Sequence, residues 1–203
     1  MANTSAPFGL KHIGVSDGVP PTFGLSQGLV ASTNTTKIFK QDPMKKLSTG
    51  YLAQWTAGTA VSQLAGTFVS CKYFSTSQQK ILNSPYWPGA DATGDVTVYY
   101  IPATGSVPPK YVVQNSSSTT AITFADVGQN ADVALGTGST SGGGFSGATL
   151  DQTTLATTAT LPFRIVGLYS DIAPVDPNGI DNTTGYNWVI VQANTVGAGA
   201  TGI

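Results

Sequence analysis

Short runs of β-branched and aromatic residues, each closed by a proline- or glycine-bearing breaker, recur at intervals of roughly 8–15 residues. That rhythm constrains the fold more than any other feature of the chain. Residues 96–101 read VTVYYI and stop at Pro102; 110–114 read KYVVQ, 121–124 AITF, 163–169 FRIVGLY and 186–192 YNWVIVQ. Residues 37–40, 50–55 and 66–74 supply three more candidate strands. Between them stand Asp42-Pro43, Pro85, Pro88-Gly89, Pro108-Pro109 and Asp176-Pro177-Asn178-Gly179, residues that turn the backbone rather than extend it. The expected fold class is therefore all-β: an antiparallel β-sandwich or barrel, jelly-roll-like. Residues 124–132 carry the one helical signal, too short and too interrupted by Gly128 for more than a turn or a single helical turn. No repeat of 20–50 residues is visible in the sequence, which argues against solenoids and propellers.

Charge content narrows the class further. Of 203 residues only 9% are charged, and none is Glu, against about 25% charged in an average soluble protein. A helical bundle or coiled coil is poorly served by such a composition. Disorder needs low hydropathy and high net charge, whereas here the mean hydropathy is +0.06 and the formal net charge −1. No basic excess exists to serve a general nucleic-acid binder, so no nucleic-acid partner is expected. The opening MANTSAPFG lacks a basic segment leading into an apolar run, and no stretch approaches the apolar length of a membrane helix. Neither a secretory signal nor a membrane partner is expected, and synthesis in a reducing cytoplasm is. Cys71 stands alone and reads as a small buried hydrophobe.

Three segments are expected: an extended N-terminal arm over 1–26, a β body over 27–195 and a flexible C-terminal tail over 196–203. The arm is punctuated by Gly9, Gly14, Gly18, Pro20-Pro21 and Gly24. Within the body, residues 136–148 (GTGSTSGGGFSGA) form a Gly-rich loop whose one large apolar residue is Phe145. Phe145 reads as a staple to the body or as an anchor into a neighbour. Residues 1–110 hold all eight Lys against four Asp, and 111–203 hold Arg164 against six Asp. That asymmetry fits either two differing solvated faces or one surface that meets a charged partner.

Reactive constellations are sparse. A Ser-His-Asp triad would have to use His12, the one histidine, and Gly14-Val15-Ser16-Asp17-Gly18 is not read as a nucleophile elbow. Asp171, Asp176 and Asp181 recur at steps of five, but they miss the EF-hand calcium pattern and sit where Asp serves turns. Gly142-Gly143-Gly144 is not followed by the Gly-Lys-Ser/Thr of a phosphate loop. Lys37, Lys40, Lys45 and Lys46 make a basic patch, yet Asp42 interrupts it and the nearby Phe39, Tyr51 and Trp55 alternate like core residues. No catalytic residue, metal or cofactor is predicted, and the chain reads as non-enzymatic.

Several ordered islands then carry a resemblance: APFGL at 6–10 followed by Lys11, IFKQDPMK at 38–45, AGTFV at 65–69, SPYWPG at 84–89, DVGQNAD at 126–132, GST at 138–140, SGATLD at 146–151 and PFRIVGL at 162–168. In this order they resemble a family of tailed-bacteriophage virion proteins of the head decoration (cement) type. Gln41 stands where the family pattern I-F-x-G-D-P-V-K has Gly, and the C-terminal end departs from the family's Asn-rich one. The resemblance implies binding to the outside of an icosahedral capsid at capsomer junctions, stabilising it against internal DNA pressure. The implied partners are the major capsid protein and further copies of this chain, as a homodimer or homotrimer; the implied location is the outer surface of the virion. Contact candidates, chosen for irregular or one-signed character, are Pro7, Phe8, Leu10 and Lys11 of the arm, Lys37, Lys40, Lys45 and Lys46, and Phe145. The alternative is a tail- or fibre-associated virion protein that binds host surface glycan, with Tyr86, Trp87 and Trp188 stacking on sugar faces.

Overall fold

The computed structural model describes residues 3–15, 24–103, 107–141, 143–169 and 180–194. Among the described residues twelve strands form in chain order: β1 (Lys11–Val15), β2 (Ser26–Val30), β3 (Pro43–Lys46), β4 (Leu52–Gln54), β5 (Leu64–Ser75), β6 (Lys80–Ser84), β7 (Val96–Pro102), β8 (Pro109–Gln114), β9 (Asn130–Ala134), β10 (Thr149–Ala156), β11 (Phe163–Leu168) and β12 (Trp188–Ala193). They build two antiparallel sheets packed against each other. The N-sheet runs β2-β7-β5-β3-β4 with β6 added to β5; the C-sheet runs β1-β8-β12-β11-β9-β10. The chain starts in the C-sheet with β1, runs β2 to β7 in the N-sheet and returns to the C-sheet for β8 to β12, so strands do not alternate between sheets as in a jelly roll.

Both sheets curl strongly. Asn115, directly after β8, makes a parallel bridge to Leu150 on the far strand β10. On the N-sheet, Gly28 of β2 lies so close to Leu52 of β4 that a Cβ at 28 would sit 2.4 Å from the leucine Cδ1. Neither sheet closes, so the fold is a sandwich and the barrel alternative is set aside.

Curling gives each sheet its own apolar filling. Inside the N-sheet, Val96, Val98 and Tyr100 of β7 alternate inward to meet Phe68, Met44, Leu52 and Trp87. Inside the C-sheet, Val189 and Val191 of β12 meet Tyr111, Val113, Phe163, Ile165, Val133 and Leu150. Trp55, just past β4, leaves its own sheet to join the C-sheet cluster, and its indole Nε1 donates to Asp132 Oδ1 at 2.8 Å. Asp132 also accepts the Gly58 N–H at 2.8 Å, which ties the loop after β4 to β9.

Residues 37–40, expected as a strand, make only the isolated bridges Ile38 to Trp87 and Lys40 to Phe145, and two further sequence expectations change. Residues 121–124, expected as a strand, pair with no strand; Phe124–Asp126 is a 3-10 turn closed by a Thr123–Asp126 capping box. The reason is Asn187, fully buried, whose side-chain amide accepts from the Ile122 N–H at 3.1 Å and donates to the Ile122 carbonyl at 2.8 Å. A side chain thus does for Ile122 what a neighbouring strand would have done. The second change concerns the arm, whose residues 11–15 are an edge strand of the C-sheet and not a segment outside the body. The expected tail over 196–203 lies outside the described residues.

Candidate partner-contact surface

The arm is spent on its own body along most of its described length. Asn3 Nδ2 donates to the carbonyls of Asp181 and Gly185 at 2.7 and 2.9 Å, and Asn3 Oδ1 accepts the Asp181 N–H at 2.8 Å. Gln114 holds the next turn of chain, accepting the Ala6 N–H at 3.0 Å and donating to the Thr4 carbonyl at 3.0 Å. Pro7 is exposed. Phe8 is half-buried, edge-on to Trp188 with ring centroids 4.9 Å apart. Leu10 is only 1% exposed and packs into the C-sheet cluster. Its side chain is core, and its N–H donates to the Gln41 carbonyl at 2.9 Å. Lys11, the first residue of β1, is exposed.

The lysines separate. Lys37 and Lys46 are exposed; Lys45 is half-buried and its ammonium donates to Thr56 Oγ1 at 2.8 Å. Lys40 reaches the Gly-rich loop: its N–H donates to the Gly144 carbonyl at 2.8 Å, its carbonyl accepts the Ser146 N–H at 2.9 Å, and its ammonium lies 5.4 Å from the Phe145 ring centroid. The parallel bridge between Lys40 and Phe145 staples the loop down, while the Phe145 side chain stays 39% exposed. Gly138 shows why this loop is glycine-rich, since a Cβ there would stand 2.3 Å from the Phe39 ring. Phe39 in turn stacks on Tyr86 at 5.7 Å.

A buried polar knot anchors the same region. Asp42, 1% exposed, accepts the Phe39 N–H at 2.8 Å and the Gln54 amide at 2.7 Å through Oδ2, and the Ser146 hydroxyl through Oδ1. Burial pushes the Asp42 carboxyl above its ordinary range, and those hydrogen bonds oppose the push. Beside it Gln41 has φ of 73°, in the left-handed region that favours glycine. This is the residue that departs from the Gly of the I-F-x-G-D-P-V-K pattern. Sequence reasoning named the departure but not its backbone conformation.

Where the arm meets the N-sheet a groove of about 440 Å³ opens, lined by Leu10, Lys11, His12, Leu25, Lys40, Gln41, Thr67, Phe68, Val69 and Ile101. It brings together Lys11, Lys40 and the Leu10 segment from the contact candidates; Lys37, Lys45, Lys46 and Pro7 lie elsewhere. Two buried polar atoms of lining residues, His12 Nε2 and Gln41 Oε1, have no hydrogen-bond partner. Burial lowers the His12 pKa from its ordinary value, against a backbone hydrogen bond at Gly14.

The aromatic candidates for sugar stacking are largely committed. Trp87 is fully buried, Trp188 is half-buried between Phe8 and Tyr169, and Tyr86 packs on Phe39. Asp181 is a turn residue, accepting the N–H and hydroxyl of Thr183 at 2.8 and 2.6 Å, and these bonds hold its carboxyl below the usual range. Asp171 and Asp176 lie outside the described residues. Among the described residues no group of three His, Cys, Asp or Glu could hold a metal ion. Residues 14–18 do spell G-x-S-x-G, and Ser16 to Gly18 are outside the described residues. Compared with protein-family models, curated proteins and solved structures, the chain matches none.

Proposed function

We propose that this chain is a non-enzymatic phage head decoration protein that binds the outer surface of an icosahedral capsid at capsomer junctions. The observation that carries the reading is the ordered set of sequence islands, above all IFKQDPMK at 38–45. One physical detail supports taking that island as structural: the position at which the pattern has Gly is the one at which the chain turns left-handed, at Gln41. The island also supplies Asp42 and Lys40, which tie the Gly-rich loop to the N-sheet.

The chemistry of the role is mechanical. A compact β body with a Ser/Thr surface and little net charge suits a protein displayed many times at high local density. Many modest contacts repeated around a shell add up through avidity. Capsomer junctions lie on or near symmetry axes, so a homodimer or homotrimer is the expected assembly, with the major capsid protein as the main partner. Lys37, Lys46, Pro7 and Phe145 are the contact candidates with exposed side chains that lie outside the groove.

A cryo-EM map of particles from the phage that encodes this chain tests the reading. Density for the chain outside the shell, touching two or more capsomers, is the expected result. Density confined to the tail would move the protein to the adhesion reading, and its absence from the particle would overturn both.

A further inference from the structure

We propose that the groove between β1 and the N-sheet takes an extended, acid-bearing segment of a protein partner, added as a strand along the free edge of β1. The proposal deepens the decoration reading and rests on it only in assuming that this chain works by holding another protein.

Four features of the groove converge on that occupant. The first is an open edge. β1 closes one side of the C-sheet and pairs only with β8 among the described residues. The Leu10 N–H points away from β8, to the Gln41 carbonyl at 2.9 Å. Alternation along the strand turns the main-chain N–H and C=O of His12 the same way. Nothing among the described residues takes up that position.

The second feature is a pair of unpaired acceptors, His12 Nε2 and Gln41 Oε1, both buried. Buried polar atoms are kept unpaired only at a penalty, and two on residues that line one groove favour an occupant whose docking brings donors to its wall. The third is charge: Lys11 and Lys40 line the groove, and among the described residues no carboxylate does. The fourth is the apolar remainder of the wall, supplied by Leu25, 44% exposed, with the half-buried Val69 and Ile101.

An extended segment with apolar and acidic residues in alternation answers all four. Its main chain pairs with the β1 edge, its apolar side chains face the wall, its carboxylates meet the lysines, and its N–H groups reach the acceptors. A small anion alone would leave the strand edge open, and a lysine-bearing strand would meet like charge.

The test uses the full chain and two fluorescein-labelled octapeptides, one alternating valine with aspartate and one alternating valine with lysine. Binding is read by fluorescence anisotropy at low salt, and the site by hydrogen exchange of the His12 amide. The aspartate peptide is expected to bind and to slow exchange at His12, with the lysine peptide weaker by about tenfold or more. Lys11→Glu combined with Lys40→Glu should weaken the aspartate peptide by about tenfold, with circular dichroism confirming that the variant folds. His12→Phe, which keeps a ring but removes the acceptor, should weaken it too. No binding, equal binding of both peptides, or binding that leaves the His12 amide unprotected would each overturn the groove. No particle enters the assay, so such a failure leaves the decoration reading to be judged by the cryo-EM map, and a chain that binds the peptide while absent from particles keeps the groove and loses the capsid.

Discussion

At Gln41 a non-glycine residue holds a backbone conformation that costs an L-residue about 1–2 kcal/mol. Its neighbours enforce the conformation, because the Gln41 N–H donates to the Phe68 carbonyl and the Gln41 carbonyl accepts from Leu10. The side chain adds a penalty of its own through the unpaired Oε1. Gln41→Gly should therefore raise stability by about 1 kcal/mol once the greater unfolded-state freedom of glycine is subtracted, read as a higher urea midpoint with an unchanged slope. A lower midpoint would mean that the glutamine side chain makes up for its backbone. Next to it, Asp42 sets a pH trend whose sign follows from its raised pKa. The folded form holds the proton more tightly than the unfolded chain, with its ordinary value of 3.8, so this residue's contribution improves as pH falls from neutral through the raised value and levels off below 3.8. Carboxylates such as Asp181, held low by hydrogen bonds, contribute in the opposite sense. The difference between wild type and Asp42→Asn isolates the residue: relative to the variant, wild type should gain stability on acidification. A wild-type-minus-variant curve that falls on acidification would show that the carboxylate is stabilised by its partners more than burial opposes it.

Among the elements, those with apolar side chains on alternate positions are readable in advance and those held by single polar groups are not. VTVYYI became β7 and YNWVIVQ became β12, because alternation or continuous burial in a sheet is written directly in residue type. The β9 strand, Asn-Ala-Asp-Val-Ala, looked like the end of a helical turn, since nothing local says that Asp132 will be buried against Trp55 from 77 residues away. Asn187 misleads in the opposite direction, by pairing with Ile122 in place of a strand. The contact candidates followed the same divide: Lys37 and Lys46 are exposed as their charge suggests, whereas Leu10 is core because the arm folds back as β1. Asn187→Ala would strip partners from the Ile122 N–H and carbonyl and from Asn115, whose Nδ2 donates to Asn187 Oδ1 at 3.1 Å. The expected cost is about 2–4 kcal/mol, from several buried groups left unpaired at 1–3 kcal/mol each with partial relief by water. Equilibrium urea unfolding measures it, and a loss below about 0.5 kcal/mol, the scale of an ordinary surface substitution, would show that the loop finds other partners.

For the whole molecule the question is whether two curled sheets with separate apolar fillings act as one cooperative unit. Among the described residues the groups that cross between them include the Asp42–Ser146 bond, the Leu10–Gln41 main-chain bond, the Lys40–Phe145 bridge, the Gly58–Asp132 bond, Leu64 of β5 within the C-sheet cluster, and Trp55 with its indole on Asp132. Of these Trp55 is the largest, a side chain 1% exposed that comes from the N-sheet and fills the C-sheet. Removing a buried tryptophan costs about 3–5 kcal/mol, and here the loss falls on the junction between sheets rather than on either filling. Wild type should unfold in one transition, with far-UV circular dichroism and near-UV aromatic signals coinciding. In Trp55→Ala the C-sheet loses part of its filling while the N-sheet cluster of Phe68, Met44, Leu52 and Trp87 is untouched. The two sheets should then separate, giving a broadened or two-step urea transition in which the near-UV signal of buried Trp87 outlasts part of the far-UV signal. A variant that still unfolds in one coincident step, merely at lower urea, would place the coupling in the main-chain and polar bonds around Asp42 and leave Trp55 as ordinary core.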